Sequence, residues 1–223
     1  MEDYNIVKTD FNEISELEET KWNHNNCYFT QLLKHIPDNA DTCLDIGCGK
    51  GELSYMLSKK AREVIAVDIA DQMIEKAKIL NPNGNIQYIC SNILELQFED
   101  ESLDVIITTA TAHHLPYEWL LNFSKNKLKQ GGKLMVLDLA KASTIFDYVI
   151  WGCAFFPNII MNLIHNGRLQ KDDAHAKSVW ERHGQHDTYM TINEVKALTK
   201  KHLSGKPKVK RKLFWRYTLI WQK

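Results

Sequence analysis

The chain of 223 residues suits one ordinary α/β core and leaves little for a second. Lysine plus arginine equals aspartate plus glutamate at 28 each, so no net field gathers phosphates or an anionic surface, which argues against a dedicated nucleic-acid binder. Five cysteines without a C-x-x-C pair argue against a disulfide framework and a zinc ribbon and fit a reducing cytoplasm, and the acidic start Met1-Glu2-Asp3 lacks the pattern of a secretory signal.

In chain order, the apolar residues between Phe11 and Ile36 recur at helical spacing and predict one or two helices, ended by Pro37-Asp38-Asn39. Thr42 to Ile46 is a short apolar run that stops at glycines, as a buried parallel strand does. Gly51 to Ala61 reads as a helix, Glu63 to Asp68 as a second strand ending in an acid, and Asp71 to Leu80 as the next helix. After the turn Asn81-Pro82-Asn83-Gly84 come strands at Ile86 to Cys90 and Leu103 to Thr108, a helix at Tyr117 to Leu128, a Gly131-Gly132 turn and a fifth strand at Lys133 to Asp138.

Beyond Asp138 the alternation breaks. Ala142 to Asn166 is apolar and helical in character, and Arg168 to Asp187 reads as a polar, histidine-rich loop. Thr191-Ile192-Asn193-Glu194 is a capping box opening a helix to about His202, and Lys208 to Phe214 with Arg216 to Gln222 read as two strands joined by a very short turn, hence antiparallel. The expected fold class is α/β: a Rossmann-like doubly wound sheet of about seven strands, mostly parallel with a C-terminal antiparallel hairpin. Residues 1–223 form one domain, divided into a helical cap (1–40), a ligand-binding core (41–140), an insertion on the acceptor side (141–188), and the last helix with the hairpin (189–223).

The most specific signal is Leu44-Asp45-Ile46-Gly47-Cys48-Gly49-Lys50-Gly51, three glycines at alternate positions between a strand and a helix. Such glycines let the backbone turn sharply and approach a ligand. The dinucleotide fingerprint needs a small residue three past its second glycine, where this chain has Glu52, which weakens a nicotinamide nucleotide as ligand. Asp45, ahead of the first glycine, would repel a pyrophosphate and favours a cationic amino group, as in S-adenosyl-L-methionine. Asp68 stands 21 residues past Gly47, the offset of an acid that accepts from ribose hydroxyls.

With the segment Cys90 to Val105 and the run Leu128 to Leu134, these motifs resemble the class I S-adenosylmethionine-dependent methyltransferases, in the group that acts on small molecules, from about Thr42 to Asp138 and again through the hairpin. The resemblance implies that Asp45, Gly47, Cys48, Gly49 and Gly51 hold the methionine end, that Asp68 holds the ribose, and that Ser91, Asn92 and Ile93 hold the adenine. Asn92 stands where the family usually has an aspartate. Ile69 and Met73 would pack on the adenine or ribose, with a core role for Met73 equally open.

The chemistry should sit at the carboxyl ends of the strands, which brings forward Thr109, His113, His114 and Asp138. In the family the His114 position lines the acceptor side; a neutral imidazole there could take a proton or hold a structural hydrogen bond. Trp22, His24 and Tyr28 are candidates for a cap over the cofactor. Trp151, in the apolar stretch Thr144 to Met161, belongs to an acceptor pocket or lid. A membrane span is disfavoured because Asp147, Gly152, Pro157 and Asn158 interrupt that stretch, while peripheral membrane contact stays open. His175, His183 and His186 with Asp172, Asp173 and Asp187 match no compact zinc spacing, so no metal is expected. The basic residues Lys206 to Lys212 read as a solvated face, Arg216 as structural, and the state as monomer or homodimer. The reading is a methyltransferase for a small, partly apolar acceptor; a cofactor-binding partner without turnover and a nicotinamide-dependent oxidoreductase are its competitors.

Overall fold

The computed structural model describes residues 4–18, 20–167 and 174–223. The expectations for Met1-Glu2-Asp3, Arg168, Asp172 and Asp173 therefore lie outside the described residues. Seven strands, β1 (Ala40–Ile46), β2 (Ala61–Asp68), β3 (Ile86–Cys90), β4 (Leu103–Thr109), β5 (Leu128–Leu139), β6 (Lys208–Arg211) and β7 (Arg216–Gln222), form one sheet in the order β3-β2-β1-β4-β5-β7-β6. The first five run parallel and β7 pairs antiparallel with both β5 and β6. This is the Rossmann-like mixed sheet that the alternating pattern predicts.

The strand interiors are apolar on both faces because helices cover both. On one face Leu44, Ile106, Leu134, Val136 and Leu219 pack with Leu120 and Leu121 of α5 (Tyr117–Lys127) and with Ile192 and Val195 of α9 (Ile192–His202). On the other, Cys43, Val64, Val105, Ile107 and Met135 meet Leu32 and Leu33 of α2 (Phe29–Leu33) and Leu53 and Leu57 of α3 (Glu52–Leu57). The alternation of neighbours between the two clusters follows from the two-residue period of a strand.

Several boundaries differ from the sequence expectation. The helix expected over Gly51 to Ala61 ends at Leu57, because Ala61 is already paired with Ala40 in the sheet. The fifth strand begins at Leu128 and runs through the two glycines, with an irregularity in pairing between Leu103 and Val105. The hairpin turn spans four residues, with Phe214 and Trp215 at φ of 58° and 57°, and Lys212 N–H donates to the Arg216 carbonyl. The stretch expected as a polar loop contains α8 (Ala174–Gly184), whose buried Val179 joins Ile14 of α1 (Tyr4–Glu16) and Met73 of α4 (Asp71–Leu80).

The insertion is one rod. Helices α6 (Ile145–Cys153) and α7 (Phe155–Met161) and a π turn at Asn162–Asn166 follow without a break. Pro157 does not interrupt it, since it lies in the first turn of α7, where a missing N–H costs little. The 22-residue helix Ile145–Asn166 is, among the described residues, long and apolar enough to cross a membrane by length and composition, and its apolar side chains are mostly exposed.

The capping box at α9 is formed: Glu194 N–H donates to Thr191 Oγ1, and the Glu194 carboxylate accepts from Thr191 N–H at 2.7 Å. Thr191→Ala is expected to lower stability by about 1 kcal/mol, measured by urea unfolding, because the helix loses this cap.

Candidate functional site

Crossovers from β1 lead in opposite directions, to β2 on one side and, through later strands, to β4 on the other, so a crevice opens at the carboxyl ends of these strands. The cleft there measures about 1540 Å³. Its floor is the glycine loop. Gly47 and Cys48 both donate their N–H to the Val67 carbonyl, at 2.8 and 3.0 Å, folding the loop back over the end of β2. Gly47 has φ +74°, and a Cβ there would collide with the side chain of Thr111. At Gly49 (φ +52°) a Cβ would meet nothing within 4 Å, so the loop faces open space reserved by the fold.

Asp68 ends β2 and ties this floor together. Its Oδ2 accepts the Gly49 N–H at 2.8 Å and its Oδ1 accepts the Ala70 N–H at 2.9 Å. Burial pushes the Asp68 carboxyl up, opposed by these backbone hydrogen bonds. Ile69, Met73, Ser91, Asn92, Ile93, Cys48 and Thr109 also line the cleft. Met73 is at once a wall of the cleft and a buried member of the small core between α1, α4 and α8. Asn92 Oδ1 accepts from Leu94 N–H at 3.1 Å, capping a short 3-10 turn, so its carbonyl is partly engaged.

Two residues of the glycine motif stand behind the cleft rather than in it. Asp45 is fully buried and accepts from Ser54 Oγ at 2.6 Å, locking α3 onto β1, and it is not among the described lining residues of the cleft. Gly51 is likewise set back, at φ +82° against the Tyr88 ring.

The acceptor side is assembled from distant pieces. Trp22 and His24 line the cleft, with the His24 ring stacked on Phe214 at 4.6 Å and its Nε2 2.9 Å from Asn158 Oδ1. Asn166 clasps the backbone of Trp22, accepting from its N–H and donating to its carbonyl, each at 3.0 Å. The N-terminal segment is thus stitched to the insertion. Tyr28 and Trp151 point elsewhere: the Tyr28 hydroxyl donates to the Leu213 carbonyl, and Trp151 packs beside Tyr148 and Trp215. Neither is among the described walls of the cleft.

His113 and His114 line the cleft, while Asp138 lies behind His113 and meets its Nδ1 at 2.7 Å. Asp138 therefore positions an imidazole instead of facing the cleft. His183 and Asp187 join them, although no sequence spacing singled them out; their nearness is created by α8 packing on α1. Arg216, expected from sequence to be structural, also belongs to this wall. It lines the cleft, buried beside the Asn25 segment, and donates from Nε to Asn25 Oδ1 at 2.8 Å and from Nη1 to the Phe214 carbonyl at 2.9 Å.

Residues 44–136 match the family model of a methyltransferase domain. Over those residues the chain is similar to methyltransferases, and its fold is the one shared by class I S-adenosylmethionine-dependent methyltransferases. It is similar to a malonyl-[acyl-carrier protein] O-methyltransferase of Anoxybacillus flavithermus, 36% identical over 104 residues that cover 45% of this chain and 40% of that one. A ubiquinone biosynthesis O-methyltransferase of Coxiella burnetii is 25% identical over 179 residues, covering 74% and 76%. In fold the chain resembles a phosphoethanolamine N-methyltransferase of Haemonchus contortus, with a TM-score of 0.64 and 17% identity over 97% of this chain and 48% of that one. The chain spans about half the length of most of the curated relatives it matches.

Burial raises the Asp45 carboxyl to about 7, with the Ser54 hydrogen bond opposing. A carboxyl harder to ionise in the folded than in the unfolded chain adds stability that is complete below the unfolded range and is lost as pH rises through its folded value. Asp45→Asn is therefore expected to remove a decline in stability of up to about 1.4 kcal/mol per pH unit between about pH 4 and about pH 7. Urea midpoints of the two proteins across that range measure it.

Proposed function

We propose that the protein transfers a methyl group from S-adenosylmethionine to a small, partly apolar acceptor by in-line displacement. The observation that carries this reading is the Asp68 carboxylate, held at the end of β2 by the Gly49 and Ala70 N–H groups within a large cleft at the sheet's switch point. S-adenosylmethionine, when bound, supplies a methyl carbon already activated by its sulfonium. What the protein adds is alignment and the exclusion of water.

The donor set fits that cofactor. Each Asp68 oxygen keeps acceptor capacity beyond its backbone bond, enough for ribose hydroxyls. The open space over Gly49 admits the methionine end, and Ile69, Met73 and the run Ser91-Asn92-Ile93 offer an apolar seat with polar edges for the adenine. Across the cleft, Val7, Phe11, Ile159 and Trp180 give the acceptor pocket its apolar character. His113, oriented by Asp138, and His114 are the groups placed to accept an acceptor proton. Two relatives named as O-methyltransferases accord with an oxygen acceptor.

Transfer of label from methyl-labelled cofactor into a metabolite extract tests the activity. Heat of binding with S-adenosylhomocysteine but no labelled product would favour a cofactor-binding partner without turnover, and absence of both would overturn the reading. In the same calorimetry, Asp68→Ala is expected to weaken S-adenosylhomocysteine binding by at least about tenfold, through loss of charge-assisted hydrogen bonds. An unchanged titration would remove Asp68 from the ribose role.

The same reading places the protein in the cytoplasm, against an anionic lipid surface that presents its acceptor. Phe146, Phe155, Phe156 and Ile164 of the insertion are exposed. Beside them, the edge strand β6 exposes Lys208 and Lys210, while its Arg211 pairs with Asp147 of α6 at 2.5 Å. Apolar side chains flanked by lysines match a lipid interface of negative charge. The insertion is held along the domain by Asn166 on Trp22 and by Arg211 on Asp147, an arrangement for lying on a bilayer rather than crossing it. Cosedimentation is expected with phosphatidylglycerol vesicles, more weakly with phosphatidylcholine vesicles, and should drop for the double variant Phe155→Ser/Phe156→Ser. Equal recovery of the protein with and without vesicles would overturn the lipid surface.

A further inference from the structure

Three imidazoles converge on one carboxylate beside the cleft. His113 Nε2 and His114 Nδ1 each lie 3.8 Å from an Asp187 oxygen, and His183 Nε2 lies 3.7 Å from one. These separations are too long for hydrogen bonds. The four side chains, nonetheless, can present one ligand atom each with all four within 4.8 Å of one another. Asp187 Oδ2 accepts from the Tyr189 hydroxyl, whereas Oδ1, on a side chain 3% exposed, accepts no hydrogen bond among the described residues. A buried carboxylate oxygen left in that state is costly unless a cation shares it.

The surroundings have the form of a metal site's outer layer. Metal-binding imidazoles usually turn their second nitrogen to a carboxylate, which fixes the ring and its tautomer. Here His113 Nδ1 meets Asp138 at 2.7 Å and His183 Nδ1 faces Asp10 at 3.4 Å, so both rings aim Nε2 at Asp187. Asp10 is itself anchored by Arg182 Nε at 3.0 Å. Two oriented imidazoles, supported from two different elements, point at the same few cubic ångströms.

We propose that His113, His114, His183 and Asp187 bind one divalent transition-metal cation. Bonds of about 2.0–2.2 Å to nitrogen and oxygen place tetrahedral ligands about 3.4 Å apart, so the observed separations close by small side-chain shifts. Three nitrogens and one oxygen select zinc, iron, cobalt or nickel over magnesium and calcium, which take oxygen ligands. The site adjoins the cleft, where an oxygen of the acceptor completes a fifth position; this part rests on the methyltransferase reading and makes the acceptor a hydroxyl- or carboxylate-bearing molecule.

The test is calorimetric titration of chelator-stripped protein with Zn2+, with Co2+ absorption as a second readout. One equivalent is expected to bind, with a rise in melting temperature and the visible bands of imidazole-bound Co2+. His183→Gln and Asp187→Asn should abolish uptake, Asp138→Asn should weaken it by about 10–100-fold, and His35→Gln, far from the cluster, should leave it unchanged. No uptake by the wild type, or wild-type uptake by both His183→Gln and Asp187→Asn, would overturn the site. Should those variants fail to fold, Co2+ bands in the wild type that lack imidazole character would overturn it equally. S-adenosylhomocysteine binding measured on the same protein separates the two conclusions: cofactor without metal removes the cation alone, and metal without cofactor removes the methyltransferase reading but keeps the cation.

Discussion

A single carboxylate at the end of β2 organises the ligand side of this fold. Asp68 must lie where the strand stops, because only there can one side chain reach both the loop after β1 and the first N–H groups leading to α4. The Gly47 and Cys48 N–H groups, both spent on the Val67 carbonyl, pull the loop across the same strand end. Loop, strand and helix are thereby fixed as one unit, with the glycines absorbing the positive φ values that the bend demands. The open space above Gly49 is a consequence of that arrangement.

Asp45 plays the complementary part from inside. Its carboxylate sits under the loop, bonded to Ser54, and its second oxygen has no hydrogen-bond partner among the described residues. That unsatisfied burial is why its carboxyl resists ionisation. The two acids beside the loop thus have opposed environments: Asp68, at the end of β2, has two backbone donors at the edge of the cleft, and Asp45 has a single hydroxyl in the core. Proximity in sequence to the glycine loop says nothing about which of them meets a ligand.

The opposite wall has a different logic, since it is built from parts that do not pair with the sheet. The Trp22 segment, the insertion and the hairpin turn meet through Asn166, Asn158, Phe214 and Arg216. The left-handed conformations of Phe214 and Trp215 bring the Phe214 ring beneath His24. Packing of α8 on α1 draws His183 and Asp187 to His113 and His114, and the apolar side of the insertion stays uncovered next to the lysines of β6.

The alternation of buried runs with helical stretches was enough to determine the parallel core, because a strand covered on both faces must be continuously apolar and a strand end must turn on glycine or an acid. The glycine spacing, Asp68 and the capping box at Thr191 were legible for the same reason: each is a local constraint, satisfied within a few residues or within one strand–helix unit. The helix at Ala174–Gly184 was not legible, since its polar, histidine-rich surface is made stable by Val179 against Ile14 and Met73 rather than by a strong internal pattern. Nor could the sequence place Asp45 behind the loop, Tyr28 away from the cleft, or Asp10, Asp138, His183 and Asp187 around one point. Those outcomes depend on which faces of separate elements meet, and that is decided only when the chain closes on itself and buried charges must find partners from whatever lies across the interface.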